Sequence, residues 1–159
     1  VPSMADCLHL FLPDKELMKN SYIPIHQDFP YLLQSPKQAT AWIPLTPKVS
    51  NGGGCLIWPD SNEHGVVDHF EKEPGFYETT ADLETYSSME LDWKVGDLFL
   101  IDSLCHHMTI RNQNPDHVRI LQLFRFSDLD DSFAEEIRWK STDYHGPNVN
   151  WLDVRQKFL

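Results

Sequence analysis

Basic residues are scarce in this chain: 13 Lys and Arg stand against 24 Asp and Glu, a formal net charge of -11 over 159 residues. A surface that acidic repels phosphate backbones and anionic headgroups, so nucleic acid and membrane are poor partners. A small anionic ligand stays open, because one buried arginine can hold a carboxylate whatever the global charge. Long apolar runs are missing too; none approaches the ~20 residues that cross a bilayer. Val1-Pro2-Ser3-Met4 has neither the basic nor the apolar segment of a secretory signal. It also lacks an initiator Met, which reads as a processed or truncated piece of something longer. Cysteines are few, odd in number and far apart (Cys7, Cys55, Cys105). Buried free thiols in a reducing compartment, the cytoplasm, are expected rather than a disulfide framework.

What is present suits one domain around one core, with 41% hydrophobic and 23% charged residues. Short strand patterns are broken by Pro, Gly and Asn. Strands are expected over residues 4–12, 38–45 and 55–58, with 22–26 as a short extended piece. Residues 60–88 read as a long polar connection without a sustained period, a candidate lid. Residues 91–93 form a further short strand pattern. Residues 98–101 are apolar on both faces and therefore expected to be central. Residues 118–126 carry the clearest strand pattern. Beyond Ser127 the pattern changes: Asp130-Asp131-Ser132 could cap a helix over 134–139, and an irregular tail with Trp151 as its aromatic anchor follows. No repeat or low-complexity tract interrupts the chain. The fold expected is all-β, a jelly roll or barrel with minor helical additions.

His26-Gln27-Asp28 carries the chemistry. In an extended segment, side chains two apart project to one face, so an imidazole and a carboxylate can reach one ion while Gln27 points away. A third ligand must come from His64, His69, His106, His107 or His117. His106 and His107 stand just beyond the apolar run 98–101, at the rim of a rigid element, and strand alternation allows only one of them to point inward. Two histidines and a carboxylate on one face of an ion leave positions open, the arrangement of non-haem Fe(II) oxygenases. An H-x-D triplet is weak by itself, but Arg119 strengthens it. Alternation puts Arg119 with Leu121 and Leu123 on one apolar face, where a guanidinium needs a partner. That partner is an Asp or Glu of the chain or the carboxylate of a bound co-substrate.

Taken in order, Ile25-His26-Gln27-Asp28, Ala41-Trp42, residues 51–58 (NGGGCLIW) with Pro59, Gly96-Asp97-Leu98-Phe99-Leu100, a histidine 11 positions after that glycine, Asn112 and Arg119 resemble the phytanoyl-CoA dioxygenase family of Fe(II)- and 2-oxoglutarate-dependent oxygenases. The resemblance covers residues 22–126. It implies a double-stranded β-helix (jelly-roll, cupin-like) core and iron ligation by His26, Asp28 and His107. It further implies that Arg119, helped by the Thr109 hydroxyl, binds the distal carboxylate of 2-oxoglutarate, with Trp42 beside the co-substrate. Dioxygen and a small organic molecule would be the other reactants; succinate and a hydroxylated product would leave. Related halogenases carry a small residue at the carboxylate position, so Asp28 favours hydroxylation.

The chain departs from the family at Pro59-Asp60-Ser61-Asn62, where Pro-Gly-Ser/Thr-His is common. Family members are also usually longer at the N-terminus. The organisation expected is therefore one oxygenase core over residues 1–159, short of those N-terminal segments, with residues 127–159 as a C-terminal helix and irregular tail. Oligomeric state is not readable from the pattern. Two other classes fit the residues: a cupin-like metalloenzyme that uses another metal without 2-oxoglutarate, and a non-catalytic jelly-roll binding module.

Overall fold

Along residues 119–127 every second side chain is buried, and this alternation makes the segment the spine of the larger sheet. The computed structural model describes residues 7–13, 22–33, 35–128, 130–132 and 151–159. In chain order the strands are β1 (Cys7–Phe11), β2 (Gln38–Pro44), β3 (Gly54–Ile57), β4 (His69–Glu73), β5 (Phe76–Thr79), β6 (Met89–Glu90), β7 (Phe99–Asp102), β8 (His107–Ile110) and β9 (Arg119–Ser127). One helical turn, α1 (Phe29–Leu32), follows Asp28, and another, α2 (Trp151–Val154), lies near the C-terminus. Antiparallel pairing builds a four-stranded sheet in the order β1-β9-β2-β7, a three-stranded sheet in the order β6-β3-β8, and the β4–β5 hairpin. Side chains from β1, β2 and β9 of the larger sheet and from β3 and β8 of the smaller one line a common cavity. This is a jelly roll, all-β with minor helical additions.

Three expectations need correction. Residues 60–88 are not irregular throughout: they hold a 3-10 turn, Ser61–His64, and the β4–β5 hairpin, which reverses at Gly75 with φ +78°. Of β4 only His69 is buried, and its other residues are exposed and mostly charged. The segment thus lacks the apolar alternation by which a strand is recognised. The short strand expected over 91–93 falls instead at β6, while Leu91 and Trp93 fill the core from irregular backbone. Residues 98–101 are not central. β7 lies at a sheet edge, and Leu100 is 68% exposed on the outer face of the larger sheet, which also presents Leu8, Leu10, Phe124 and Phe126. Apolar composition on both faces did not mean burial on both. The helix expected over 134–139, most of the tail and the first residues of the 4–12 strand lie outside the described residues.

Trp151 anchors the C-terminal end. It has no exposed surface, packs with Phe29, Leu33 and Val154, and donates its indole N–H toward Asp68 Oδ1 and the His69 carbonyl, 3.1 Å each. Trp151→Ala should cost about 3–5 kcal/mol through the cavity and the lost hydrogen bond. Thermal unfolding followed by circular dichroism should then fall by about 10 °C.

Candidate metal centre

The backbones of His26 and His107 form a reciprocal pair, each N–H donating to the other's carbonyl at 3.0 Å. That pairing joins the 22–26 segment to the start of β8 and sets the two imidazoles side by side, ring centroids 4.2 Å apart. Asp28 reaches them from the N-cap of α1 with helical φ and ψ. The segment is therefore not extended through Asp28, as expected from the sequence; a turn brings the carboxylate round. Oδ1 of Asp28 lies 3.7 Å from His26 Nε2 and 3.5 Å from His107 Nε2. All three side chains are buried, and their candidate ligand atoms lie within 4.8 Å of one another.

Neighbouring groups orient these atoms. Nδ1 of His26 lies 2.7 Å from the Pro24 carbonyl, and Nδ1 of His107 lies 2.9 Å from the Cys105 carbonyl. A carbonyl only accepts, so Nδ1 carries the proton in each ring and Nε2 keeps its lone pair. Burial, and then the nearby His107, push the His26 pKa down, which keeps that ring neutral. Two lone-pair nitrogens and an anionic oxygen thus converge in a dry place, an arrangement that a cation relieves. The donor set fits a divalent first-row metal.

The same cavity is lined by Trp42, Thr109 and Arg119, so it gathers all six residues singled out in the sequence. Trp42 meets the His107 ring edge to face at 5.2 Å, and Thr109 pairs with Cys55 on the facing strand. Arg119 is 2% exposed, lies 3.8 Å from the Phe11 ring centroid and donates through Nη1 to the Gly54 carbonyl. Its Nε is buried with no hydrogen-bond partner, and no carboxylate pairs with it among the described residues. Burial pushes its pKa down to about 10, so it remains a cation at neutral pH. Cys55 also lines the cavity, and burial pushes its thiol well above the ordinary value. All three cysteines are free, although only Cys55 is fully buried.

The other candidate histidines lie elsewhere. His106 turns away from His107, its Nε2 3.0 Å from Thr79 Oγ1, and stacks 6.5 Å from His69. His64 is exposed on the 3-10 turn, and His117 sits in a loop. Gln27 points away from the candidate ligand atoms. Its side chain donates to the Gly65 and Leu104 carbonyls and accepts from Val67 N–H, tying the 65–67 segment behind the site. Its backbone N–H donates to His69 Nε2 at 3.0 Å, and Nδ1 of His69 donates to the Val67 carbonyl. The departure at residues 59–62 preserves the turn: Asp60 adopts the left-handed φ of +65° where the family has glycine, a conformation aspartate tolerates better than most residues. Ser61 keeps a hydroxyl bonded to the Trp58 carbonyl and to His106 N–H.

His69 makes stability pH-dependent. Burial lowers its pKa from 6.5 to about 3, so below pH 6.5 the unfolded chain binds a proton that the folded chain refuses. Its contribution is fully present above pH 6.5 and is lost progressively as pH falls toward 3. Acidification to pH 5 should cost about 2 kcal/mol from this group. Denaturant melts at pH 7 and 5 measure that difference, and His69→Gln should shrink it.

Sequence reasoning missed three polar groups at this cavity. Thr40 donates to Asp28 Oδ2 at 2.7 Å, and His9 and Arg125 line the wall. Alternation could have found each: Thr40 lies two before Trp42, His9 two before Phe11, and Arg125 six after Arg119 on the same face.

A family model described as phytanoyl-CoA dioxygenase matches residues 8–120, more than half of the chain. No curated protein matches the sequence significantly. Among solved structures the chain is similar to the apo form of the non-heme monooxygenase ThoJ, with 20% identity, 78% of this chain and 45% of that one covered, and a TM-score of 0.58. It is similar to the epimerase SnoN in complex with Fe3+, alpha ketoglutarate and nogalamycin RO, with 16% identity, 80% and 50% covered, and a TM-score of 0.63. The alpha ketoglutarate dependent carbocyclase SnoK from nogalamycin biosynthesis gives 19% identity, 81% and 50% covered, and a TM-score of 0.59. At these identities the likeness establishes the fold, and the chain spans about half the length of the structures it matches.

Proposed function

This chain belongs to the phytanoyl-CoA dioxygenase family, and we propose from that premise that it is the core of an Fe(II)- and 2-oxoglutarate-dependent dioxygenase that hydroxylates a small organic substrate. The observation that carries this reading is the pairing, in one cavity, of a His26–Asp28–His107 donor set with a buried arginine that no carboxylate of the described chain neutralises. His26, Asp28 and His107 hold the iron. Arg119, with the Thr109 hydroxyl, takes the distal carboxylate of 2-oxoglutarate, and Trp42 flanks the co-substrate. Bound there, iron, 2-oxoglutarate and dioxygen supply the oxidising power that removes a hydrogen atom from an unactivated C–H bond while 2-oxoglutarate is decarboxylated to succinate.

The chain's own part is positioning and exclusion. Arg119 fixes the far end of the co-substrate through charge and a planar donor fork. Leu121 and Leu123, on the same strand face, and Trp42 across from Leu123 keep water from the reacting centre. A retained carboxylate at Asp28 supports hydroxylation over halogenation, since it occupies the position a halide would need. The solved relatives named for epimerisation and carbocycle formation show that the scaffold hosts other outcomes in other proteins. The acidic surface and three free thiols support a cytoplasmic enzyme acting on a small molecule rather than on nucleic acid or membrane. Among the described residues no helix is long and apolar enough to cross a membrane.

Anaerobic titration with Fe(II) and then 2-oxoglutarate tests this reading. A visible metal-to-ligand charge-transfer band should appear only when both are present, and succinate should form once oxygen is admitted. Metal binding without the band would point to a metalloenzyme that does not use 2-oxoglutarate. Absence of metal binding would leave a binding module.

A further inference from the structure

Thr40 sits on β2 between Ile101 of β7 and Arg125 of β9, at a position with no solvent exposure. Its hydroxyl lies 2.7 Å from Asp28 Oδ2. An ionised carboxylate only accepts, so Thr40 is the donor and Oδ2 is engaged away from the imidazoles. Oδ1 is left as the oxygen that faces His26 Nε2 and His107 Nε2. Burial and alternation give this threonine no solvent alternative, so its proton has one oxygen to serve.

We propose that Thr40 is a positioning residue that makes Asp28 give the metal one oxygen rather than two. A carboxylate beside a divalent ion readily chelates with both oxygens. In a six-coordinate ion held by two histidines, such chelation would fill a fourth position. Two positions would then remain, and a co-substrate that binds through two atoms would take both, leaving none for dioxygen. The Thr40 hydroxyl prevents this by holding Oδ2 in a short, charge-assisted hydrogen bond, so that three positions stay open. The inference rests on the metal reading above and adds to it what sets the number of open positions.

Mn(II) alone is the probe, read by binding affinity and by water-proton relaxivity per bound ion, which reports the water molecules on the metal. Thr40→Val keeps the volume and removes the donor. Relaxivity per bound Mn(II) should fall by about a third, from three open positions to two, while Thr40→Ser should restore the wild-type value. If Thr40→Val does not fold, comparison of Thr40→Ser with Thr40→Ala reads the same hydroxyl. Equal relaxivity with and without the hydroxyl overturns the inference and leaves the metal site standing. Failure of the wild-type protein to bind Mn(II), or equal binding by Asp28→Ala, overturns both.

Discussion

Replacing His107 with alanine is expected to abolish metal binding, whereas His106→Ala is expected to leave it within a few-fold of wild type. The two residues are neighbours with the same side chain, and only orientation separates them. His107 directs Nε2 toward Asp28 while its Nδ1–H donates to the Cys105 carbonyl. His106 faces Thr79 and His69 on the other side of the backbone. Loss of one of three protein ligands should weaken Fe(II) or Mn(II) by at least about 10^3-fold, roughly 4 kcal/mol, and take succinate formation below detection. His106→Ala should instead lower thermal stability, because it empties a buried site and leaves the Thr79 hydroxyl without its ring partner. Calorimetric metal titration with parallel thermal melts separates the two variants. Retained metal binding in His107→Ala would move the site.

Arg119→Gln should show the opposite separation: metal affinity unchanged and 2-oxoglutarate affinity down by about two orders of magnitude, or roughly 2.7 kcal/mol. A buried cation and a carboxylate that meet without water are strongly coupled, and truncating one partner costs several kcal/mol. Glutamine retains length and a donor but not the charge or the fork. Arg119→Lys should recover only part of the loss, because an ammonium cannot match two carboxylate oxygens in a plane. Titration of the charge-transfer band with 2-oxoglutarate at fixed Fe(II) gives the constants. If metal binding disappears as well, Arg119 supports the fold by joining β9 to the Gly54 carbonyl of β3 rather than by holding a ligand.

Features that depend on local pattern were readable from the sequence. The alternation of 119–127 named the face carrying Arg119, and the His-Gln-Asp triplet named two of the converging atoms. Alternation also limited the 106/107 pair to one inward side chain. It could not choose between them, because the choice comes from the cross-strand pairing of His107 with His26, set by residues 81 positions apart. The same kind of information hid the β4–β5 hairpin, whose strands are held by backbone pairing and carry almost no apolar face. It also made β7 look central, since a run of apolar residues does not say whether another layer covers its second side. The backbone carbonyls of Pro24 and Cys105, which fix both imidazole tautomers, have no side-chain signature at all.

Those two carbonyls have a consequence for which ion the protein acquires. With both rings locked and Asp28 already charged, the donor atoms are in place before any metal arrives, so little rearrangement discriminates between ions of similar size. Nitrogen and oxygen donors of this kind bind copper, nickel and zinc more tightly than Fe(II). The nearby Cys55 does not alter that ranking as a thiolate, because burial keeps its sulfur protonated. Occupancy by iron therefore depends on supply rather than on the cavity, and the protein isolated from zinc- or nickel-rich medium should carry those metals in the iron position.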